Sequence, residues 1–319
     1  MKKITVFDTS AVSENIGDFI IMDSVNEELR ELFKNDMLFY SLTHDKVSKA
    51  TYRLNKKSNY SFIGGTNLLS SNMNSYNQWK INLIDSLFIK NVILMGVGWW
   101  QYQEKPNFYT KYLLKKVLNK DMLHSVRDSQ AEKMLHSIDI TNVINTGCMT
   151  MWKLTREHCR NIPKNKADNV VFTLTDYNKD LINDQKLIDL LVENYKTIYF
   201  WPQGSGDLEY MFRLNNIKNI VILGGNLFAY DKLLCNTLIN LDFIGTRLHA
   251  GIRALQKFRR TIILGIDNRA TEKSKDFNLK VLQRDDIDKL NGIINNDFRT
   301  EININETNIK KWKDQFKSS

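Results

Sequence analysis

The chain has 319 residues, 42% hydrophobic and 25% charged, with only three prolines. That length suits two domains of about 150 residues each, and the composition excludes a disordered or Pro-rich chain. A formal charge of +9 and a pI near 9.2 predict a cationic surface that attracts phosphates, polyanions or an anionic membrane face, but the lysines are scattered and their densest stretches, 46–57 and 310–317, are interrupted by polar residues, which argues against nucleic acid as a partner.

In chain order, short apolar runs rich in Val, Ile and Phe predict strands at 4–7, 37–40, 61–63, 92–97 and 123–126 in the first half. In the second half the same signal falls at 170–174, 198–201, 220–223, 243–244 and 261–266. Helix-like stretches lie between the runs, the pattern of parallel strands joined by crossover helices. The stretch 156–168 is polar, contains Pro163 and has no strand period, so the halves are expected to part there, as domains 1–160 and 161–319. Ile309, Trp312 and Phe316, spaced three and four apart, predict a terminal helix over 305–319 that docks one apolar face on the body. The expected fold is α/β: two Rossmann-like domains with mostly parallel sheets facing a cleft.

Cys148, Cys159 and Cys235 are odd in number and widely spaced, which fits neither a disulfide framework nor a zinc site. Free thiols in a reducing compartment are the simple expectation, with no metal. The opening Met1-Lys2-Lys3 reaches Asp8 after an apolar run too short for a signal-peptide core. No segment approaches ~18 uninterrupted apolar residues, so a cytoplasmic protein is expected, with a basic surface compatible with peripheral work at the inner membrane face.

Several predicted strand tips carry candidate chemistry. Asn15, Gly17 and Asp18 stand between the first strand and a long amphipathic stretch, where a glycine permits a tight turn and opens amide donors to an anion; Asn15 or Asp18 serves equally well as a helix cap. Gly64-Gly65 and Gly96-Val97-Gly98 follow strands and leave space for a substrate or for a simple tight turn. Neither has the GxGxxG or Lys-Ser/Thr pattern of a nucleotide site, so no cofactor is expected. Arg127 sits at the polar end of a strand, placed to clamp a carboxylate or phosphate bidentately, or else to pair with the adjacent Asp128.

The densest constellation is Gly245-Thr246-Arg247-Leu248-His249-Ala250, followed by a strand and then Asp267-Asn268-Arg269. Arginine and histidine two apart at a strand-to-helix turn set a fixed positive charge beside a group that moves protons near neutral pH. Arg269, at the next strand tip, is expected to return to the same site. The remaining histidines, His44, His124, His136 and His158, lack such company and are read as surface or packing residues.

Taken in order, Asn15-Ile16-Gly17-Asp18, Gly64-Gly65, Ser125-Val126-Arg127-Asp128, Gly245-Thr246-Arg247-Leu248-His249-Ala250 and Ile266-Asp267-Asn268-Arg269 resemble the polysaccharide pyruvyl transferase family. The family often has a third glycine where this chain has Thr66, and lysine where it has Arg269. The resemblance implies a GT-B-like fold and transfer of the enolpyruvyl unit of phosphoenolpyruvate, the donor substrate, onto a sugar of a cell-surface polysaccharide or of its lipid-linked oligosaccharide precursor. It implies that Arg127, Arg247 and Arg269 hold the phosphate and carboxylate of the donor, that His249 is the general acid, and that Asn15, Gly17, Asp18, Gly64, Gly65 and Leu248 line the substrate site.

Ketal formation also needs a carboxylate to take a proton from an attacking hydroxyl. Asp207, in Pro202-Gln203-Gly204-Ser205-Gly206-Asp207 after a predicted strand, is the expected base, with a helix cap as its other role. Two alternatives stay open from sequence: a GT-B glycosyltransferase that uses a nucleotide sugar, and a non-catalytic scaffold of a capsule-assembly complex.

Overall fold

A computed structural model describes residues 1–317 of the chain. Two compact units result: unit 1 comprises Met1–Ser13, Ile21–Trp152 and Ile304–Ser319, and unit 2 comprises Glu14–Ile20 and Lys153–Asn303. The change of unit thus falls at Trp152, where the sequence suggested 160, and both a short early segment and the chain's end join the other half.

In unit 1, β1 (Lys3–Asp8), β2 (Met37–Leu42), β3 (Tyr60–Gly64) and β4 (Val92–Met95) form a parallel sheet in the order β2-β1-β3-β4. A further parallel pair, β5 (His124–Val126) and β6 (Val143–Asn145), stands beside it. Val97 bridges Val126 in parallel, and the Gly96 amide donates to the Ser125 carbonyl at 3.0 Å. β6 was not expected: at three residues, two of them only partly buried, it lacks the apolar run that betrays a central strand.

Tight packing explains the two glycines at the tip of β3. A Cβ on Gly64 would lie 2.7 Å from Val25 Cγ2, and one on Gly65 would lie 2.0 Å from Ile21 Cγ2. Gly65 also has φ +63°, a conformation that side chains other than glycine resist. The helix Ile16–Leu32 presses on the strand end here, and this packing accounts for both glycines. At the other end of the chain the helix Glu306–Asp314 buries Ile309 and Trp312. Phe62 receives the rings of Trp312 and Phe316, with centroids 6.0 and 5.3 Å away. Residues 318 and 319 of the expected terminal helix lie outside the described residues.

Unit 2 is a six-stranded parallel sheet of β7 (Asn169–Thr173), β8 (Thr197–Phe200), β9 (Val221–Ile222), β10 (Leu241–Gly245), β11 (Arg260–Gly265) and β12 (Val281–Gln283). The order is β12-β11-β10-β7-β8-β9. From β7 the chain winds outward through β8 and β9, returns, and winds the other way through β10, β11 and β12. That reversal makes the carboxyl ends of β7 and β10 a topological switch point, where sheets of this kind open a crevice for ligands. β12, short and only partly buried, was again missed by the sequence. The architecture is α/β with mostly parallel sheets, and among the described residues no helix is long and apolar enough to cross a membrane.

His124 is fully buried in unit 1. Its Nδ1 lies 3.1 Å from the Leu94 amide, which can only donate, so the proton sits on Nε2 and is given to the Asn119 carbonyl at 2.8 Å. Burial lowers the imidazole from 6.5 to about 4, partly offset by the bond to Asn119. An unfolded chain therefore takes up a proton near pH 6.5 that the folded chain refuses until about pH 4. The neutral ring's contribution is complete above pH 6.5 and is lost as the pH falls towards 4, at ~1.4 kcal/mol per pH unit.

Urea unfolding at pH 7 and at pH 4.5 is expected to show this loss, and His124→Gln is expected to reduce the difference between the two pH values by about 2–3 kcal/mol. Gly65→Ala is expected to lower stability by ~1–3 kcal/mol, through overpacking against Ile21 and a strained φ, read as a drop in melting temperature.

Candidate active site

At the unit 2 switch point the turn after β10 is fixed by backbone and hydroxyl bonds. The Thr246 amide donates to the Thr173 carbonyl at 3.1 Å, the Thr246 and Thr175 hydroxyls pair at 2.8 Å, and the Arg247 amide donates to Thr173 Oγ1 at 3.2 Å. Gly245 permits this approach, since a Cβ there would fall 2.4 Å from Thr173 Oγ1. Arg247 is the N-cap of the helix Leu248–Gln256, and its guanidinium reaches back across the tips of β7 and β8.

There Nε donates to the Leu174 carbonyl at 3.1 Å and to Asp207 Oδ2 at 3.0 Å; Nη2 donates to Asp176 Oδ1 at 2.8 Å and to Asp207 Oδ1. The Asp207 carboxylate also accepts from the amides of Gln203 at 3.1 Å, Gly204 at 2.8 Å and Asp176 at 3.1 Å. Burying two such ions costs several kcal/mol each, offset only where the pair is well aligned and its remaining bonds are satisfied. Both conditions hold here. Gly204 makes room, because a Cβ on it would sit 2.1 Å from Arg247 Nη2.

The expectation for Asp207 therefore needs correction. Its side chain is 0% exposed and both oxygens are engaged, so no lone pair is offered to a substrate hydroxyl. Burial raises its carboxyl above the ordinary value, against the opposing pull of Arg247 and the amides. A buried arginine requires a countercharge, and Asp207 supplies it. Asp176, with 26% of its side chain exposed, is the more open carboxylate of the cluster.

Arg269 lies in the first turn of the helix Asn268–Phe277 after β11, behind its N-cap Asp267. Its Nε donates to Asp267 Oδ2 at 2.9 Å, and Nη2 donates to the same oxygen and to the Tyr177 hydroxyl. The Tyr177 ring lies 5.1 Å from the Arg247 guanidinium and 5.9 Å from that of Arg269. One aromatic ring thus lies beside both guanidinium groups. His249 and Leu248 are buried at the start of the helix that Arg247 caps.

Asn15, Gly17 and Asp18 come early in the chain but belong to unit 2. Asn15 forms an antiparallel bridge with Gly204, the Ile16 amide donates to the Gln203 carbonyl at 2.9 Å, and Gln203 Nε2 donates to Asn15 Oδ1 at 2.8 Å. A Cβ on Gly17 would fall 2.8 Å from Gln203 Nε2. This motif is braced against the same loop that holds Asp207, and Asp18 is buried at its end. Gln203 keeps a buried Oε1 with no partner among the described residues.

Arg127 lies in unit 1, after β5. Its amide donates to the Val97 carbonyl at 3.1 Å and its Nε to Asp128 Oδ2 at 3.0 Å. Asp128 also caps the helix Ser129–His136 by accepting from the Ala131 amide at 2.8 Å, so the ion pair and the cap are both present. Gly98 is required here, since its Cβ would lie 2.1 Å from Arg127 Nε. The guanidinium is almost wholly buried, yet Nη2 has no partner among the described residues. An unsatisfied buried donor costs about 1–3 kcal/mol, and a ligand oxygen would satisfy it.

Each of the three arginines has a carboxylate partner: Asp128 for Arg127, Asp207 for Arg247 and Asp267 for Arg269. The sequence passed over Asp176, Tyr177 and Gln203. Asp176 and Tyr177 come just after the run 170–174, beyond Thr175, and only the strand order shows that this run is where the sheet reverses.

A family model described as polysaccharide pyruvyl transferase matches residues 15–268. No curated protein matches the chain. Similar solved structures include a co-structure of S. aureus MnaA with UDP, 9% identical with a TM-score of 0.48, covering 94% of this chain and 92% of that one. Another is UDP-GlcNAc 2-epimerase from Neisseria meningitidis bound to UDP-GlcNAc, 10% identical with a TM-score of 0.47, covering 100% and 93%. The family match begins at Asn15, takes in Arg127, Asp207, Arg247 and His249, and ends one residue before Arg269: the chain belongs to the polysaccharide pyruvyl transferase family.

Proposed function

We propose that the chain transfers the enolpyruvyl unit of phosphoenolpyruvate to a sugar of a cell-surface polysaccharide or its lipid-linked precursor, giving a pyruvate ketal and inorganic phosphate. The observation that carries this reading is the Arg247-Leu248-His249 turn at the unit 2 switch point, inside a family match that spans most of the chain.

Phosphoenolpyruvate bears a phosphate and a carboxylate on three carbons. In the proposed reaction the methylene carbon takes a proton from His249 and becomes a methyl group, leaving an oxocarbenium-like C2. One sugar hydroxyl attacks C2 and loses its proton, phosphate departs, and a second hydroxyl of the same sugar closes the ketal as its proton leaves. Two protons are released from the sugar; one replaces that given by His249 and the other leaves with phosphate. General acid help of this kind is worth ~10²–10⁴ in rate.

In this scheme Arg247 and Arg269 hold the donor through N–H groups kept in place by Asp207, Asp267 and Tyr177. Prefixed donors reorganise little as charge shifts to the leaving phosphate. Arg127 offers Nη2 to an anionic substrate oxygen. Asp207 is a positioning residue, and Asp176 takes the role of base. No cofactor or metal enters the scheme.

Purified His249→Ala is expected to keep its fold and lose ~10²–10⁴ in phosphate release from phosphoenolpyruvate with acceptor present; full turnover would dismiss the proton-donor role. Arg127→Lys keeps the charge but loses the second fork of donors, so its KM for phosphoenolpyruvate is expected to rise about tenfold with kcat less affected. Asp207→Asn and Asp176→Asn separate the two carboxylates. The first is expected to cost ~3–5 kcal/mol of stability by stripping Arg247 of its buried partner, seen as a lower melting temperature. The second is expected to melt near the wild-type temperature but to lose turnover. A thermal-shift comparison of phosphoenolpyruvate with nucleotide sugars tests donor choice directly, since the true donor raises the melting temperature by mass action.

A further inference from the structure

Unit 1 carries an apolar face that its own core does not use. The turn around Asp85–Leu87 leaves Ile84 68% and Leu87 65% exposed, with Phe88 beside them. The helix Phe108–Val117 packs against this turn and adds Phe108, 83% exposed, and Tyr112, whose rings stack at 6.3 Å. These side chains are presented by a braced turn. Asp85 accepts from the Tyr52 hydroxyl at 2.6 Å and from the Asn82 amide at 2.7 Å, while Asn82 Oδ1 accepts from the Ile84 amide at 2.7 Å. The Phe88 ring stacks on Tyr52 at 4.7 Å. Large apolar side chains held outward in this way need a cover.

The charge of the same segments says what kind. Lys80, Lys90, Lys105 and Lys116 are exposed, and none is paired with a carboxylate among the described residues; Lys116 lies 5.4 Å from the Tyr112 ring. Against them stand Glu104, also exposed, and Asp139, which pairs with Lys111 and Lys115 at 2.8 and 3.0 Å. Aliphatic and aromatic side chains flanked by an excess of lysine match the boundary of an anionic bilayer, where apolar groups enter the acyl edge and the ammonium groups meet headgroup phosphates. A second copy of the chain would bring the same lysines against one another.

We propose that this face of unit 1 docks on an anionic lipid bilayer. The inference rests on the composition and rigidity of the surface, not on the reaction proposed above, though it would bring the enzyme to where lipid-linked acceptors reside. Vesicle binding and turnover are separate measurements, so failure of one leaves the other standing.

The test is co-sedimentation of the purified full chain with vesicles of phosphatidylcholine containing phosphatidylglycerol, against phosphatidylcholine alone. Binding to the anionic vesicles that weakens with added salt is expected. The combined exchange Ile84→Ser, Leu87→Ser and Phe108→Ser is expected to weaken it by about tenfold or more, with unchanged circular dichroism. Lys80→Glu with Lys90→Glu is expected to weaken anionic binding as well. Single Ile84→Ser and Phe108→Ser exchanges, at strongly exposed positions, keep the test readable if the triple variant does not fold. Wild-type protein that stays in the supernatant at low salt, or variants that bind as wild type does, overturn the proposal. A dimer that dissociates on the same exchanges also overturns it, because a second copy would then be the cover.

Discussion

A buried guanidinium must have its countercharge, and in unit 2 that requirement organises the whole strand edge. Arg247 reaches across β7 and β8 because Asp207 and Asp176 wait there, and Asp207 accepts amides from the loop that also grips Asn15. The glycines at 204 and 245 follow from the same requirement, since each stands where a Cβ would strike the arginine or the threonine that fixes its turn. Well-made ion pairs in low dielectric break even at best against apolar packing, so the cluster is poorly explained as a device for stability. It stands at the reversal of strand order, where sheets of this kind open a crevice for ligands.

The arginines are compensated before any substrate arrives, and this alters the electrostatic argument. Free positive charge is not what they offer; they offer N–H groups of fixed direction. Arg247 and Arg269 share Tyr177 as a common brace, while Arg127 is held by Asp128 and keeps Nη2 without a partner among the described residues.

Much of the fold could be read in the sequence, because central parallel strands are buried on both faces and show as apolar runs. The strands that escaped notice, β6 and β12, are short and partly exposed, and their residues carry no such run. The Arg247-Leu248-His249 turn was legible for a similar reason: charged and small residues stand out against the apolar run before them. Asp207 was visible as a residue but not in its role, since only tertiary packing shows that a distant arginine has claimed both oxygens. Gly64 and Gly65 show the same ambiguity. A glycine after a strand looks alike whether a ligand or a helix side chain approaches it, and here Val25 and Ile21 do. Tyr177 carried no signal, because one tyrosine after a strand is unremarkable until two guanidinium groups meet it.

Ketal formation from phosphoenolpyruvate is the reaction proposed for these residues. It is tested most directly by incubating the purified chain with phosphoenolpyruvate and a candidate glycan, then weighing the glycan by mass spectrometry while phosphate is followed by phosphorus NMR. A mass gain equal to pyruvic acid less one water, matched by one phosphate released per group added, is the predicted result. A glycan that stays unchanged with phosphoenolpyruvate yet gains a sugar residue from a nucleotide sugar would contradict it.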